Sequence, residues 1–253
     1  MKTIGIIPAR MGSSRFPGKP LALLHGIPML GHVYFRSRLN RRMSDIYIAT
    51  CDEEIRRYAT QIGAACIMTS PQHDRASDRT AEAVCTIETR VGPVDVVVMI
   101  QGDEPMIHPD MLDEAVAPLA RDPVVQVVNL MAPVDAASAI DSNEVKVVVS
   151  RAGNALYFSR HALPWHRNGG TVDVFKQVCI IPFRRSFLST FAALEPTNLE
   201  RAESIDMLRA LEHGYAVRMV RTAHTTSSVD TPEDLARVEA LMERDELFAR
   251  YGG

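Results

Sequence analysis

Ile4-Gly5-Ile6-Ile7-Pro8 runs straight into Ala9-Arg10-Met11-Gly12-Ser13-Ser14-Arg15-Phe16-Pro17-Gly18-Lys19-Pro20, and this junction decides the fold. A short apolar run is a buried strand, and a Gly/Ser loop carrying Arg10, Arg15 and Lys19 follows it without a break. Such a loop suits a polyphosphate, because its amides can turn inward as a nest while the cations neutralise charge that water would otherwise have to solvate. It is not a Walker A loop: Gly12 and Gly18 lack the Gly-x4-Gly-Lys-Ser/Thr spacing, and Pro20 follows Lys19. Nor is Gly-x-Gly-x-x-Gly present. The competing reading is a surface loop that happens to be basic.

Outward from this junction, β-rich runs alternate with helical patterns, the signature of an α/β chain with a mostly parallel sheet. Strands are expected at Thr3–Ile7, Asp45–Thr50, Ala65–Met68, Val94–Ile100 and Val124–Met131, and helices at Met29–Leu39, Glu53–Ile62, Thr80–Thr89 and Pro109–Leu119. Val94-Asp95-Val96-Val97-Val98-Met99-Ile100 is almost continuously apolar, as a central strand covered on both faces must be. Near Asn143 the character changes. Val145–Val149 and Ala155–Arg160 read as a hairpin turned at Gly153-Asn154, and Pro164–Gly170 reads as a polar, mobile loop. A strand at Val178–Phe183, a helix at Ser204–Glu212 and a strand at Ala216–Val220 follow. Thr231-Pro232-Glu233-Asp234 opens a last helix with a capping Thr, Pro in the first turn and acids at the positive end. Residues 1–253 are read as one domain, with about 143–200 a candidate acceptor-binding or dimerisation subdomain.

The length of 253 residues gives ample core, and 46% apolar with 23% charged residues is ordinary for a soluble globular protein. A net charge of −3 argues against a nucleic-acid-coating surface, so phosphate binding has to be local. Cys51, Cys66, Cys85 and Cys179 form no C-x-x-C pair and are expected to be buried free thiols. No apolar run approaches the roughly 20 residues of a membrane span, and Met1-Lys2 leads directly into a strand, so a cytoplasmic protein without membrane insertion is expected.

Gln101-Gly102-Asp103-Glu104-Pro105 follows the central strand, and ligands of open α/β sheets bind beyond the carboxyl ends of the strands. Asp103 there can hold Mg²⁺, which takes one or two carboxylates and leaves its other positions to phosphate and water; the plain alternative is a turn that ends a strand. Asp230, just before the last helix, is in isolation a cap residue. Two separated Asp residues at element ends are nevertheless what a metal bridging phosphates requires. Asp78-Arg79 begins a helix, from which Arg79 can reach a triphosphate or a base. His73 reads as a surface loop residue, and Arg41-Arg42, Arg56-Arg57 and Arg184-Arg185 as solvated faces. Nothing resembles a Ser/His/Asp set, so the chemistry indicated is metal-assisted attack on phosphorus.

Taken together, Ile6-Ile7-Pro8-Ala9-Arg10-x3-Ser14-Arg15-x-Pro17-Gly18-Lys19-Pro20-Leu21, Gln101-Gly102-Asp103-Glu104-Pro105, Val145-Lys146-Val147-Val148 with Tyr157-Phe158-Ser159-Arg160 and Pro164-Trp165, and Val229-Asp230-Thr231-Pro232-Glu233-Asp234-Leu235 resemble the 3-deoxy-D-manno-octulosonate cytidylyltransferase (CMP-Kdo synthetase) family, in order along essentially the whole chain. The resemblance implies the Rossmann-like fold of the nucleotide-diphospho-sugar transferases with a small β-rich dimerisation subdomain. It also implies Mg²⁺ dependence, CTP and an acidic sugar of the Kdo type as substrates, CMP-sugar and pyrophosphate as products, a homodimer, and a place in lipopolysaccharide or capsule synthesis. Carried over by position, Ala9, Arg10, Ser14, Arg15, Lys19, Arg79 and Gln101 would bind nucleotide. Gln101, Arg160, Gln177, Glu203 and Asp206 would face the acceptor. Asp103 and Asp230 would hold the metal, and Arg10, Lys19, Asp103 and Asp230 would form the catalytic set. The chain departs from the family at Ala76-Ser77-Asp78-Arg79, where Gly-Thr-Glu/Asp-Arg is common. It departs further at Gln177-Val178-Cys179-Ile180-Ile181-Pro182-Phe183-Arg184, where the family has His-x-Gly-Ile-Tyr-Gly-Tyr-Arg, and at Glu203–Arg209. A kept nucleotide side and a changed acceptor wall are expected, with a different acceptor, a different nucleotide or an inactive nucleotide-sensing protein as alternatives.

Overall fold

A strand as apolar as Ile4-Gly5-Ile6-Ile7 is stable only with cover on both faces, and the chain supplies it through a series of βαβ crossovers. A computed structural model describes every residue except 13–14, 166, 168–172, 225–226 and 253. The chain divides into two compact units, Met1–Asp113 with Thr226–Gly253, and Glu114–Thr225.

The first unit opens with β1 (Thr3–Pro8), a 3₁₀ turn (Lys19–Leu21) and a small antiparallel hairpin of β2 (Leu23–Leu24) and β3 (Ile27–Pro28). It continues through α1 (Met29–Arg38), β4 (Asp45–Thr50), α2 (Glu53–Gln61), β5 (Ala65–Met68), α3 (Ala76–Val91) and β6 (Val96–Ile100). Within this unit the strand order is β6-β1-β4-β5, all parallel, with Ile4 opposite Asp45 and Thr3 opposite Val96. Every residue of β1 and of β6 is buried, and α3 packs over β1, β4, β5 and β6. Gly5 lies where a Cβ would come within 2.5 Å of Ile46 Cδ1, so any side chain there would force the end of the Ile46 side chain to move. From β1 the chain winds outward through β4 and β5, then returns to β6 on the other side of β1. The loops after β1 and β6 therefore flank the switch point, where α/β sheets place their ligands.

α4 (Pro109–Arg121) leads into the second unit, which holds β7 (Val128–Pro133), α5 (Ala136–Ile140), β8 (Lys146–Val149), β9 (Ala155–Ser159), β10 (Phe175–Val178), β11 (Ile180–Arg184), α6 (Arg185–Ala193), α7 (Asn198–Glu203), α8 (Asp206–Glu212) and β12 (Arg218–Arg221). Its sheet order is β12-β7-β10-β8-β9, with β12 parallel to β7 and the remaining pairs antiparallel. The expected hairpin is present as β8 and β9, with Gly153 at φ 79° in its turn. The chain returns to the first unit for α9 (Pro232–Met242) and a final 3₁₀ turn, Phe248–Arg250. Val229, Val238 and Met242 pack there with Leu24 and Met29, and Phe16 lies against that cluster.

Several expected elements are corrected. The strand expected from Val124 starts at Val128, because the Asp122 side chain accepts the Val124 N–H at 2.9 Å in a turn that leaves Val124 79% exposed. The strand expected over Val178–Phe183 is two strands broken at Cys179, and the helix expected over Ser204–Glu212 is α8, which starts only at Asp206 because Ser204 takes φ 57° and Ile205 is extended. The segment 164–170 falls largely outside the described residues. The four thiols are free as expected but not buried: Cys85 is exposed and the other three are half-buried.

Candidate functional site

The loop after β1 is shaped by backbone bonds before any ligand arrives. Gly18 N–H donates to Met11 O at 3.1 Å, closing the loop on itself, and Gly18 holds φ 75°, a conformation glycine adopts without strain. The Met11 N–H donates in turn to Asp52 Oδ2 at 2.7 Å, so a carboxylate at the start of α2 pins the loop to the neighbouring strand end. Sequence reading did not single out Asp52; it resembled an ordinary N-cap, yet its side chain does not cap α2.

That folding turns Lys19 inward. Its Nζ donates to Asp103 Oδ2 at 3.2 Å, Asp230 Oδ1 at 3.2 Å and Val229 O at 2.8 Å. Asp103 stands just beyond β6 and Asp230 just before α9, and the Val229 N–H to Asp103 O bond of 2.9 Å locks the two segments together. Arg15 reaches the same carboxylate, 3.0 Å from Asp230 Oδ1. Burial disfavours the Lys19 ammonium, but the charges of Asp103 and Asp230 outweigh it and raise its pKa above the ordinary lysine value. Residues 84 and 211 positions from Lys19 thus share one cation.

The remaining sequence candidates fall into three groups. Ala9 is buried at the end of β1, its N–H bonded to Ala49 O, and Arg10 is half-exposed with only a 3.5 Å contact to the exposed Asp74. Ser14 lies outside the described residues. Arg79 is 2% exposed and donates to Thr69 Oγ1, Ser70 O and His73 O, so its guanidinium shapes the loop between β5 and α3. Gln101 is half-buried at the end of β6, next to Gly102 and Asp103.

In the second unit, Arg160 and Glu203 build one corner. Glu203 accepts from Ser159 Oγ and the Arg160 N–H, while the Arg160 side chain donates to the carbonyls of Glu203, Ser142 and Asn143. The buried Lys146 Nζ spends its donors on the carbonyls of Asp141, Glu144 and Arg160. Gln177 donates to Asn129 Oδ1, whose own amide bonds Leu130 O and Val178 O. Asp206 opens α8, a seven-residue helix, in its first turn.

The site is thus one locus in the first unit where two carboxylates and two cations meet beside a basic, glycine-closed loop, a locus suited to handling a charged phosphate chain. A family model described as cytidylyltransferase matches residues 4–241. A 3-deoxy-manno-octulosonate cytidylyltransferase of Geobacter sulfurreducens is 42% identical over 250 residues, covering 94% of this chain and 98% of that protein. One of Pelobacter propionicus is 40% identical over 249 residues, covering 94% and 96%. Among solved structures, a CMP:2-keto-3-deoxy-manno-octonic acid synthetase complexed with CTP superposes with a TM-score of 0.88 at 36% identity, covering 96% of this chain and 99% of that one. Its fold is the nucleotide-diphospho-sugar transferase fold, and with that architecture shared almost end to end, the chain belongs to the cytidylyltransferase family and is a nucleotidyltransferase.

Proposed function

We propose that the chain couples CTP to a sugar acid of the Kdo type, giving the CMP-sugar and pyrophosphate, and that the nucleotide's phosphates lie over the loop from Arg10 to Lys19. The observation that carries this is the convergence of Asp103, Asp230, Lys19 and Arg15 at the switch point of the sheet, in a chain resembling a structure complexed with CTP. The donor set fits a hard divalent ion: two carboxylates from separate segments already meet on one ammonium and so can share a cation. Asp103 and Asp230 would hold Mg²⁺, which supplies charge neutralisation at the transferring phosphorus when bound.

The protein's own groups do the rest. Arg10, with one long and exposed contact, is available to phosphate. Arg15 and Lys19 add positive charge where it develops on the leaving pyrophosphate, and the loop amides orient the chain of phosphates. The acceptor hydroxyl attacks the α-phosphorus and gives up its proton to solvent, the bond from that phosphorus to the oxygen bridging to the β-phosphate breaks, pyrophosphate leaves with that oxygen, and no protein nucleophile is required. Arg79 contributes by fixing the 69–74 loop, and Gln101, two residues before Asp103, would contact the nucleotide. Gln177, Asp206, Arg160 and Glu203 would contact the sugar acid. A homodimer through the β-rich second unit completes the reading.

The test is pyrophosphate release from CTP with Kdo and with a panel of other ulosonic and amino-sugar acids, alongside the other three nucleoside triphosphates. Release with CTP and Kdo is expected; no release with any acid would sink the reading. Asp103→Asn and Asp230→Asn should each lower kcat/KM on the order of a hundredfold or more at unchanged melting temperature.

A further inference from the structure

An ammonium has three N–H donors, and all three on Lys19 are spent: on Asp103 Oδ2, Asp230 Oδ1 and Val229 O. Lys19 as it stands can therefore give nothing to a phosphate without releasing one of these partners. The partners it would release are also the two carboxylates that a divalent ion needs. Asp230 carries a second cation as well, Arg15 at 3.0 Å. The carboxylate pair is thus already neutralised before any ligand enters, and it is held in register by the bond from Val229 N–H to Asp103 O.

We propose that Lys19 occupies the cation position in the nucleotide-free protein and bars free divalent metal from it, so that the site takes the metal only as a metal–triphosphate chelate. The chelate brings both exchange partners at once. Its metal replaces the ammonium on Asp103 and Asp230, and its phosphate oxygens accept the N–H donors that Lys19 gives up. Free metal offers the first half of that exchange and leaves a part-buried ammonium without acceptors, which costs the desolvation of a charged group. Free triphosphate offers the second half and takes from the two carboxylates the one cation they share, leaving Arg15 on Asp230 alone to offset both charges. Side-chain exposures of 14% for Lys19, 26% for Asp103 and 12% for Asp230 keep water from filling either gap cheaply. This inference rests on the assignment of Asp103 and Asp230 as metal holders and adds a condition on how the metal arrives.

The experiment titrates Mn²⁺ into the full chain and follows the free-ion EPR signal without nucleotide, and with saturating CTP it counts protein-bound Mn²⁺ by equilibrium dialysis against a compartment holding the same Mn²⁺ and CTP. Lys19→Met and Lys19→Gln are run side by side, so that the result does not depend on one variant folding. Without nucleotide, the wild type should bind Mn²⁺ at least tenfold more weakly than the Lys19 variants, and Asp103→Asn in the Lys19→Met background should return binding to the wild-type level. With CTP, the wild type should bind Mn²⁺ tightly. If the wild type and both Lys19 variants bind Mn²⁺ equally without CTP, while CTP-dependent binding is lost in Asp103→Asn, the metal assignment stands and the barring role of Lys19 is overturned. If CTP-dependent Mn²⁺ binding survives unchanged in both Asp103→Asn and Asp230→Asn, the metal assignment falls and this inference falls with it.

Discussion

Lys19 shows what a single residue can disclose before the fold is known. Its place in a Gly- and Arg-bearing loop after a strand marked it as a phosphate ligand, and Asp103 was marked by standing after the most apolar strand. The structure brings the two side chains together, Lys19 Nζ 3.2 Å from Asp103 Oδ2, and both stand at element ends, where the sequence changes character abruptly. Arg79 was less legible: a cation in the first turn of a helix is placed to reach a triphosphate or a base, whereas this one is 2% exposed and donates to the loop beside it. Asp52 was missed because a carboxylate before a helix resembles a cap, and only the fold shows that it accepts the Met11 N–H. Asp52→Ala should raise KM for CTP about two- to tenfold, the value of one lost hydrogen bond, with kcat little changed. Asp52→Asn keeps an acceptor oxygen and should restore most of the loss; steady-state kinetics on the two variants decides it.

His32 carries a second residue-level consequence. It is fully buried on α1, with Nε2 against Leu24 O and Nδ1 against the Tyr251 hydroxyl, and burial with the nearby Arg36 and His25 charges pushes its pKa down to about 4. In the unfolded chain the same imidazole titrates near 6.5, so between those values the unfolded state binds more protons. Stability is then fully present above about pH 6.5 and is lost as pH falls toward 4, by about 3 kcal/mol in all. Urea midpoints from pH 7 to pH 4.5 should fall steadily in the wild type and more shallowly in His32→Gln. Parallel slopes would show that another group governs the acid limb.

At the scale of elements, legibility followed the strength of local rules. The Thr-Pro-Glu-Asp start of α9 was readable because the capping box is local: Thr231 Oγ1 accepts the Asp234 N–H, and the Asp234 carboxylate accepts the N–H groups of Thr231 and Asp230. The break at Cys179 and the late start of α8 were not, because β10 and β11 separate where their hydrogen-bond partners change, and α7 and α8 are parted by the left-handed Ser204 and the extended Ile205. Those two helices are joined instead by a pair invisible at sequence spacing, Glu200 with Arg209, bonded at 2.8 and 2.6 Å with side chains 1% and 2% exposed. Removing one member strands the other as a buried charge. Glu200→Ala should cost about 3–5 kcal/mol, read as a lower denaturant midpoint, whereas Thr231→Ala, which loses only a cap, should cost about 1 kcal/mol.

At the scale of the whole molecule, alternation of strands and helices was enough to indicate a parallel sheet, but not that one unit is made of two separated stretches, because nothing local records a return after 112 residues. What holds the returning stretch is a set of contacts to its last residues. Tyr251 Oη bonds His32 Nδ1 and Arg36 Nε, Asp245 pairs with Arg36, and the Phe248 ring lies against His25 and His32. Arg36 is 1% exposed, and burial already pulls its pKa below the ordinary arginine value. The stretch also packs toward the loop after β1, since Phe248 and Phe16 both cover the cluster of Leu24, Met29, Val229 and Met242. Ending the chain at Glu243 would leave the Arg36 guanidinium without its carboxylate and hydroxyl partners, a loss of about 3 kcal/mol or more. The melting temperature should fall by about 5–10 °C for a chain of this size. Because Val229 precedes Asp230 and Phe16 follows Arg15, the same truncation should weaken CTP binding even at temperatures where the protein stays folded. Calorimetry at 10 °C, compared with a Tyr251→Phe variant that removes only the hydroxyl, separates the two effects. Unchanged CTP affinity in the folded truncation would confine the closing stretch to stability alone.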